Sequence, residues 1–296
     1  MSSLVLRGCL TALVTPFSSD GSSIDWDAYD GLVEAQIQGG VSGLVPCGTT
    51  GESPTLSDSE QRELVQRTAR LAKGRAIVLA GTGTNSTKKT IEASRAAFEA
   101  GADAVMIVMP YYNRPSQEGL RQHIELVAKS VSGPVVLYNI PGRTGVDLSV
   151  QTLERVLDAC PNVIGLKDAS NGVHYCQSAA HLLGRLSILS GDDGLTVPMM
   201  SVGAKGVISV TSNLYPREVS AVVADMLAGN WIAARDAHLR LLKVHGAMFV
   251  EPNPAPVKAA LAARGRMTGA VRPPLVALSE QGQKHVLAAI DAYEGR

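Results

Sequence analysis

Eight short apolar runs, spaced almost evenly and each followed by a segment of helical periodicity, constrain this chain more than any other feature. They fall at 8–17, 43–47, 76–81, 104–109, 134–140, 163–167, 186–190 and 206–210. Each is nearly continuous in Val, Ile, Leu or Met rather than alternating, the pattern of strands covered on both faces. Between them, 58–73 puts Leu64, Val65, Thr68 and Leu71 on one side against Glu60, Arg62 and Arg67, and 118–130 groups Leu120, Ile124, Val127 and Ala128. Gly or Pro punctuates nearly every junction. About eight strand–helix units in about 250 residues predict an α/β chain folded as a (β/α)8 TIM barrel. A doubly wound open sheet shares the alternation, but the count and the even spacing favour the barrel. After Asn213 the strands stop, and 216–229, 231–249, 255–264 and 279–293 read as helices. The expected organisation is a barrel core at 1–213 and a C-terminal helical extension at 214–296, packed on the barrel as one structural unit.

Composition narrows the function classes. Lys+Arg and Asp+Glu are 27 each, so no basic surplus argues for nucleic acid and no charged run suggests a tail. The four cysteines, Cys9, Cys47, Cys160 and Cys176, are scattered without CxxC spacing, which argues for reduced, packed thiols rather than a disulfide framework or a zinc site. The six histidines lack HxH or HExxH spacing and fall in predicted helices, so no metal is assigned. The start of the chain lacks a charged segment followed by a long apolar one, and no apolar stretch is long enough to span a bilayer. The expectation is a soluble cytoplasmic protein with no membrane partner.

Chemistry in a barrel collects at the carboxyl ends of the strands, and here those ends carry a coherent set. Lys167 closes the run Val163-Ile164-Gly165-Leu166. Burial disfavours an ammonium ion and lowers its pKa, and a neutral amine in an apolar pocket attacks ketones to give a Schiff base. The plainer alternative is a strand-end lysine snorkelling to solvent. Past the second strand, Gly48-Thr49-Thr50-Gly51-Glu52-Ser53 offers hydroxyls and backbone N–H groups that can cradle an anion, or it is an ordinary capped turn. It is not a P-loop, because no Gly-Lys-Ser/Thr follows. Gly81-Thr82-Gly83-Thr84 lacks the third glycine of a dinucleotide turn.

Tyr112 and Tyr138 stand at the mouths of different strands, where a phenol beside threonine hydroxyls can pass protons; aromatic packing is their alternative role. Arg143, after the Pro141-Gly142 turn, can clamp a carboxylate through two parallel hydrogen bonds or serve a surface ion pair. Together these parts fit an α-keto acid: an amine for the ketone, an anion cradle for the carboxylate, and hydroxyls to shuttle protons. The imine nitrogen then acts as the electron sink, the neighbouring methyl loses a proton, and the enamine is a carbon nucleophile. Such chemistry calls for no metal or organic cofactor.

At these residues the chain resembles the 4-hydroxy-tetrahydrodipicolinate (dihydrodipicolinate) synthase family of pyruvate-dependent class I aldolases, along almost its whole length. The motifs are GTTGES at 48–53, PYYNRPSQEGL at 110–120, YNIPGRTG at 138–145, GLKDAS around Lys167, LSGDD at 189–193, GVISV at 206–210 and EPNPAPVKAAL at 251–261. The resemblance implies a lyase of the diaminopimelate route to lysine, joining pyruvate to L-aspartate-4-semialdehyde. It implies that Lys167 forms the Schiff base, that Tyr138 donates and accepts the proton, and that Thr49 and Tyr112 complete a relay, with Tyr112 reaching across a subunit interface. Thr50 and the backbone at Ile208 then hold pyruvate, with Gly191 also on the substrate side, and Arg143 receives the carboxylate of the second substrate. The family is usually a homotetramer built from tight dimers. N-acetylneuraminate lyases and keto-deoxy-sugar acid aldolases share the lysine and tyrosine but typically lack the Arg-Thr-Gly ending. They remain the alternative, together with a non-catalytic keto-acid binding protein.

One departure concerns regulation. Lysine-inhibited members bind the effector in a cleft whose matching positions here are Ser53, Asp58, Gln61, Asn85, Lys89 and Tyr111. Lys89 stands where an acidic residue would attract the effector's ammonium, and like charges about 4 Å apart cost about 4 kcal/mol at an effective dielectric near 20. Weak or absent lysine inhibition is the expectation.

Overall fold

In the computed structural model of the chain, which describes residues 4–170 and 172–295, eight parallel strands close into a barrel in sequence order. They are β1 Gly8–Ala12, β2 Gly43–Val45, β3 Ile77–Gly81, β4 Ala104–Val108, β5 Val135–Asn139, β6 Val163–Asp168, β7 Ser187–Ser190 and β8 Gly206–Ser209. The ring shuts where β1 pairs with β8, Gly8 opposite Gly206. A Cβ added to Gly206 would lie 2.0 Å from the Gly8 carbonyl oxygen, so the seam admits no side chain at that position.

The helices are α1 Trp26–Gln38, α2 Asp58–Ala72, α3 Thr87–Glu99, α4 Gln117–Lys129, α5 Pro141–Thr144, α6 Val150–Ala159, α7 Val173–Ser178, α8 Thr196–Ser201, α9 Pro216–Ala228, α10 Trp231–Ala247, α11 Ala255–Ala263 and α12 Glu280–Glu294. Their starts are written in the sequence. Asp25, Ser57, Ser86, Ser116, Ser149 and Ser279 each cap a helix by accepting a backbone N–H. Ser57 and Glu60 form a full capping box.

Two apolar layers result. The inside of the barrel holds Leu6, Leu10, Val45, Leu79, Met106, Val136, Tyr138, Leu189 and Ile208. A larger layer lies between the barrel and the helices, with Leu44, Val78, Val105, Ile107, Leu137, Leu166, Ile188 and Val207 facing out of the ring. This two-sided burial is the reason the strands read as unbroken apolar runs.

Several of the runs overstate their strands at the carboxyl end, while the third and seventh end with theirs and the sixth stops one residue short. The first run extends to Phe17, yet the ladder of β1 stops at Ala12 while Leu13, Val14 and Phe17 remain buried beyond it. Burial continues into the loops that roof the barrel, and hydropathy alone does not register where pairing ends. The C-terminal helices follow the expected boundaries closely, and α10 and α12 pack together.

Candidate active site

Tyr138 and Lys167 are register partners on β5 and β6. Alternation along a strand sends Lys167 into the barrel and its neighbours Leu166 and Asp168 outward. Lys167 is 5% exposed, and its Nζ lies 4.2 Å from the centroid of the Tyr138 ring. Burial pushes the Lys167 ammonium down to a pKa of about 8; the negative charge of Asp193 works against that shift and the positive charge of Arg143 adds to it. Burial also pushes the Tyr138 phenol up to about 12, while Arg143 and a hydrogen bond with the Thr49 hydroxyl pull the other way.

The turn after β2 brings Thr49 and Thr50 to this mouth. Glu52 adopts a left-handed conformation, φ 58, uncommon for a non-glycine residue. Its side chain is anchored by a buried ion pair: Lys258 Nζ on α11 donates to Glu52 Oε1 at 2.7 Å, with Lys258 0% exposed, and the backbone N–H of Arg272 donates to Glu52 Oε2 at 2.9 Å. The ammonium also lies over the ring of Phe17, 4.2 Å from its centroid. Thr50 is buried, and its Oγ1 accepts from Asn253 Nδ2 at 3.0 Å.

Arg143 rides on α5, which starts at Pro141 and ends at a left-handed Gly145. The loop that follows is tied to β5 by Asn139, whose Nδ2 donates to Asp147 Oδ1 at 2.7 Å while its Oδ1 accepts from the Leu148 N–H at 3.1 Å. Asn139 Nδ2 also reaches Asp168 Oδ1 at 3.2 Å, so the residue after Lys167 belongs to the scaffold of the Arg143 loop. Burial pushes the Asp168 carboxyl up to about 6.

Thr49 and Arg143 line one cavity of about 230 Å³ with Ser53, Gln61, Tyr111, Val108 and Ile140. Gly191 follows β7 directly. Its N–H donates to the Asp168 carbonyl at 2.7 Å, and a Cβ there would meet Ala169 Cβ at 2.8 Å, so its place beside the end of β6 requires a glycine. Ile208 faces the barrel interior with Tyr138.

Lys167, Tyr138, Thr49, Thr50, Arg143, Gly191 and Ile208 therefore share one end of the barrel. Tyr112 does not join them within a single chain: it is 90% exposed, on a left-handed backbone, φ 71. Of the six effector positions, Ser53, Gln61 and Tyr111 line the same cavity as Thr49 and Arg143. Asp58, Gln61 and Lys89 line an adjoining groove of about 350 Å³. Asn85 lines neither of these two cavities, and its carbonyl accepts from Asn113 Nδ2 at 2.8 Å. The groove also contains Arg62 and Glu92, so Lys89 is one charge among four.

Sequence reasoning missed roles for Glu52, Asn253 and Lys258, although all three lie inside the motifs quoted above. The available signal was Lys258 itself, alone in the apolar stretch Pro256-Val257-Lys258-Ala259-Ala260-Leu261. That is the same pattern that singled out Lys167.

A closed parallel barrel with this mouth is the framework of a (β/α)8-barrel lyase, and the comparisons with known proteins agree. The chain belongs to the dihydrodipicolinate synthetase family, whose model matches residues 5–293. It is 62% identical to a 4-hydroxy-tetrahydrodipicolinate synthase of Sorangium cellulosum, over 100% of this chain and 99% of that one. Among solved structures it superposes on the 4-hydroxy-tetrahydrodipicolinate synthase of Methylacidiphilum fumariolicum SolV with a TM-score of 0.95, at 44% identity over 98% of this chain and 96% of that one. The chloride-inhibited dihydrodipicolinate synthase of Acinetobacter baumannii, solved in complex with pyruvate, also gives a TM-score of 0.95, at 40% identity over 98% and 99%. Among the described residues no helix is long and apolar enough to cross a membrane.

Proposed function

We propose that this chain condenses pyruvate with L-aspartate-4-semialdehyde to 4-hydroxy-tetrahydrodipicolinate, acting as a 4-hydroxy-tetrahydrodipicolinate synthase in the diaminopimelate route to lysine, and that Lys167 is its nucleophile. The observation that carries the residue assignment is the buried Lys167 amine, its pKa held near 8, lying 4.2 Å from the centroid of the Tyr138 ring. The neutral amine attacks the ketone carbon of pyruvate, and the resulting carbinolamine takes up a proton and loses water to give the protonated imine. Its nitrogen draws electrons from the neighbouring methyl, which gives up a proton and becomes the enamine carbon. That carbon adds to the aldehyde of the second substrate, whose own amine closes the ring on the imine carbon and releases Lys167.

Tyr138 handles the protons in this reading. A phenol held near 12 is a poor base alone, so it works through a relay in which Thr49 hands the proton on. Tyr112, exposed on its own chain, completes the relay from a neighbouring subunit. This makes an oligomer, a homotetramer built from dimers, the expected working form in the cytoplasm. Thr50 and the backbone at Ile208 hold the pyruvate carboxylate, and Arg143 at the rim receives the carboxylate of the aldehyde substrate.

Borohydride reduction with pyruvate, followed by peptide mass mapping, tests the nucleophile. An adduct on the Lys167 peptide that disappears in Lys167→Ala is the expected result. An adduct on Lys205 or Lys258 moves the site. A panel of aldehydes tests the second substrate, with aspartate semialdehyde expected to outrun polyhydroxylated aldehydes.

A further inference from the structure

The C-terminal segment reaches back more than two hundred positions to grip two residues of the 48–53 turn, Glu52 through Lys258 and the Arg272 N–H, and Thr50 through Asn253. The first grip anchors the Glu52 side chain. The second acts on a side chain assigned above to the pyruvate carboxylate, and it controls more than position.

A threonine hydroxyl has one proton and two lone pairs. With an Asn253 amide N–H aimed at Oγ1, one lone pair is taken and the hydroxyl proton cannot turn toward Asn253 without meeting that amide hydrogen. Thr50 and Asn253 are both buried, so bulk water does not compete for the proton. Among the described residues, the Thr50 hydroxyl has a donor but no acceptor. Asn253 Oδ1, the atom that would draw the proton back, is itself buried and has no partner among the described residues. An asparagine kept only for packing would use both ends of its amide; this one spends its donor on Thr50.

We propose that Asn253 is a positioning residue that makes the Thr50 hydroxyl a one-way hydrogen-bond donor toward an anionic carboxylate, and so sets the preference of the site for a 2-oxo acid over its uncharged derivatives. The inference rests on the imine reading above. It assigns the 253–258 stretch a part in building the anion cradle, in addition to its place in the helical extension.

The test uses the full-length chain and borohydride trapping on Lys167, with pyruvate and its neutral methyl ester as probes. In Asn253→Ala, the pyruvate concentration for half-maximal trapping rises about tenfold, the scale of one hydrogen bond to a charged group. The methyl pyruvate dependence stays within about twofold by the same reasoning, and the maximal extent of trapping is unchanged. Thr50→Val produces the same rise, and the double variant is no worse than Thr50→Val alone, because Asn253 acts through Thr50. A folded Asn253→Ala with an unchanged pyruvate dependence overturns the proposal, and so does an additive double variant. If Asn253→Ala does not fold, the isosteric Asn253→Asp serves instead. It accepts the Thr50 proton rather than donating, so half-saturation by pyruvate rises further, and an unchanged value is equally fatal. Absence of any adduct on Lys167 in the unsubstituted chain removes the imine reading, and the proposal with it. That outcome is distinct, because the others all require a trapped parent.

Discussion

Lys167 Nζ sits over the face of the Tyr138 ring because the two residues are opposed on adjacent parallel strands, not because either side chain is long enough to search for the other. A cation over a ring gains on the order of 1 kcal/mol, yet the ammonium is still pushed down to about 8. Loss of hydration, helped by the positive charge of Arg143, outweighs the opposing charge of Asp193. In the imine mechanism proposed above, the same ring would face the protonated imine nitrogen and offer it an attraction that the free neutral amine does not need.

The pH dependence of imine formation follows from that balance. Attack needs the neutral amine, whose fraction grows as pH rises through about 8. The initial rate of trapping with saturating pyruvate should climb about tenfold per pH unit below that point and level off above it. Stopped-time borohydride quenching from pH 6 upward measures this. A flat profile would mean that a different group limits the step.

Stability should run against activity at this position. The ammonium is disfavoured in the folded chain, whose lysine pKa is near 8, relative to the unfolded one near 10.5. Below pH 8 both states are protonated and the full cost is present, about 3 kcal/mol from the size of the shift. Between 8 and 10.5 the unfolded state binds more protons, so stability rises with pH. Lys167→Met, similar in length and uncharged, should be inactive and more stable than the parent at pH 7, by up to about 3 kcal/mol. The gap should narrow toward pH 10. Urea unfolding at several pH values decides it.

The Glu52–Lys258 pair should be costly to break from one side. Both groups are buried, and removing one leaves an uncompensated charge. Lys258→Met or Glu52→Gln should lose about 3–5 kcal/mol, whereas replacing both with apolar residues of similar volume should recover most of it. Denaturant midpoints of the two single variants and the double report this directly. A double variant as unstable as the sum of the singles would deny that the pair is coupled.

Lysine should be a poor inhibitor of this chain. The groove beside the cavity of Thr49 and Arg143 holds Lys89 and Arg62 against Asp58 and Glu92, so it has no surplus of negative charge to hold a second ammonium. Lys89→Glu should strengthen inhibition at least tenfold, about 1.4 kcal/mol and well within the Coulomb energy of a reversed contact. Steady-state assays with millimolar lysine measure both proteins, and strong inhibition of the parent at sub-millimolar lysine would refute the prediction.

The strands were legible because each is buried on two faces, which writes a continuous apolar run. Lys167 was legible because a charge ends such a run. The ends of the strands were not, since Leu13 and Val14 stay buried after the ladder stops. Short α5, α7 and α8 were hidden for a different reason: helices of four to six residues carry no periodicity to read. Asn253 on Thr50 and Lys258 on Glu52 were beyond reach because each contact joins positions more than two hundred residues apart. Tyr112 follows the β4 run, but the sequence carries no sign that its side chain is left exposed on a left-handed backbone.

Because the ring is shut by the pairing of β8 with β1, which begins at a glycine pair with no room for a side chain, the enclosed interior is complete only when the last strand is in place. Up to that moment, Lys167 is a hydrated, fully charged amine like any other. On the mechanism proposed above, the lowered amine pKa that imine formation needs is therefore a product of ring closure and not of the local sequence around Lys167.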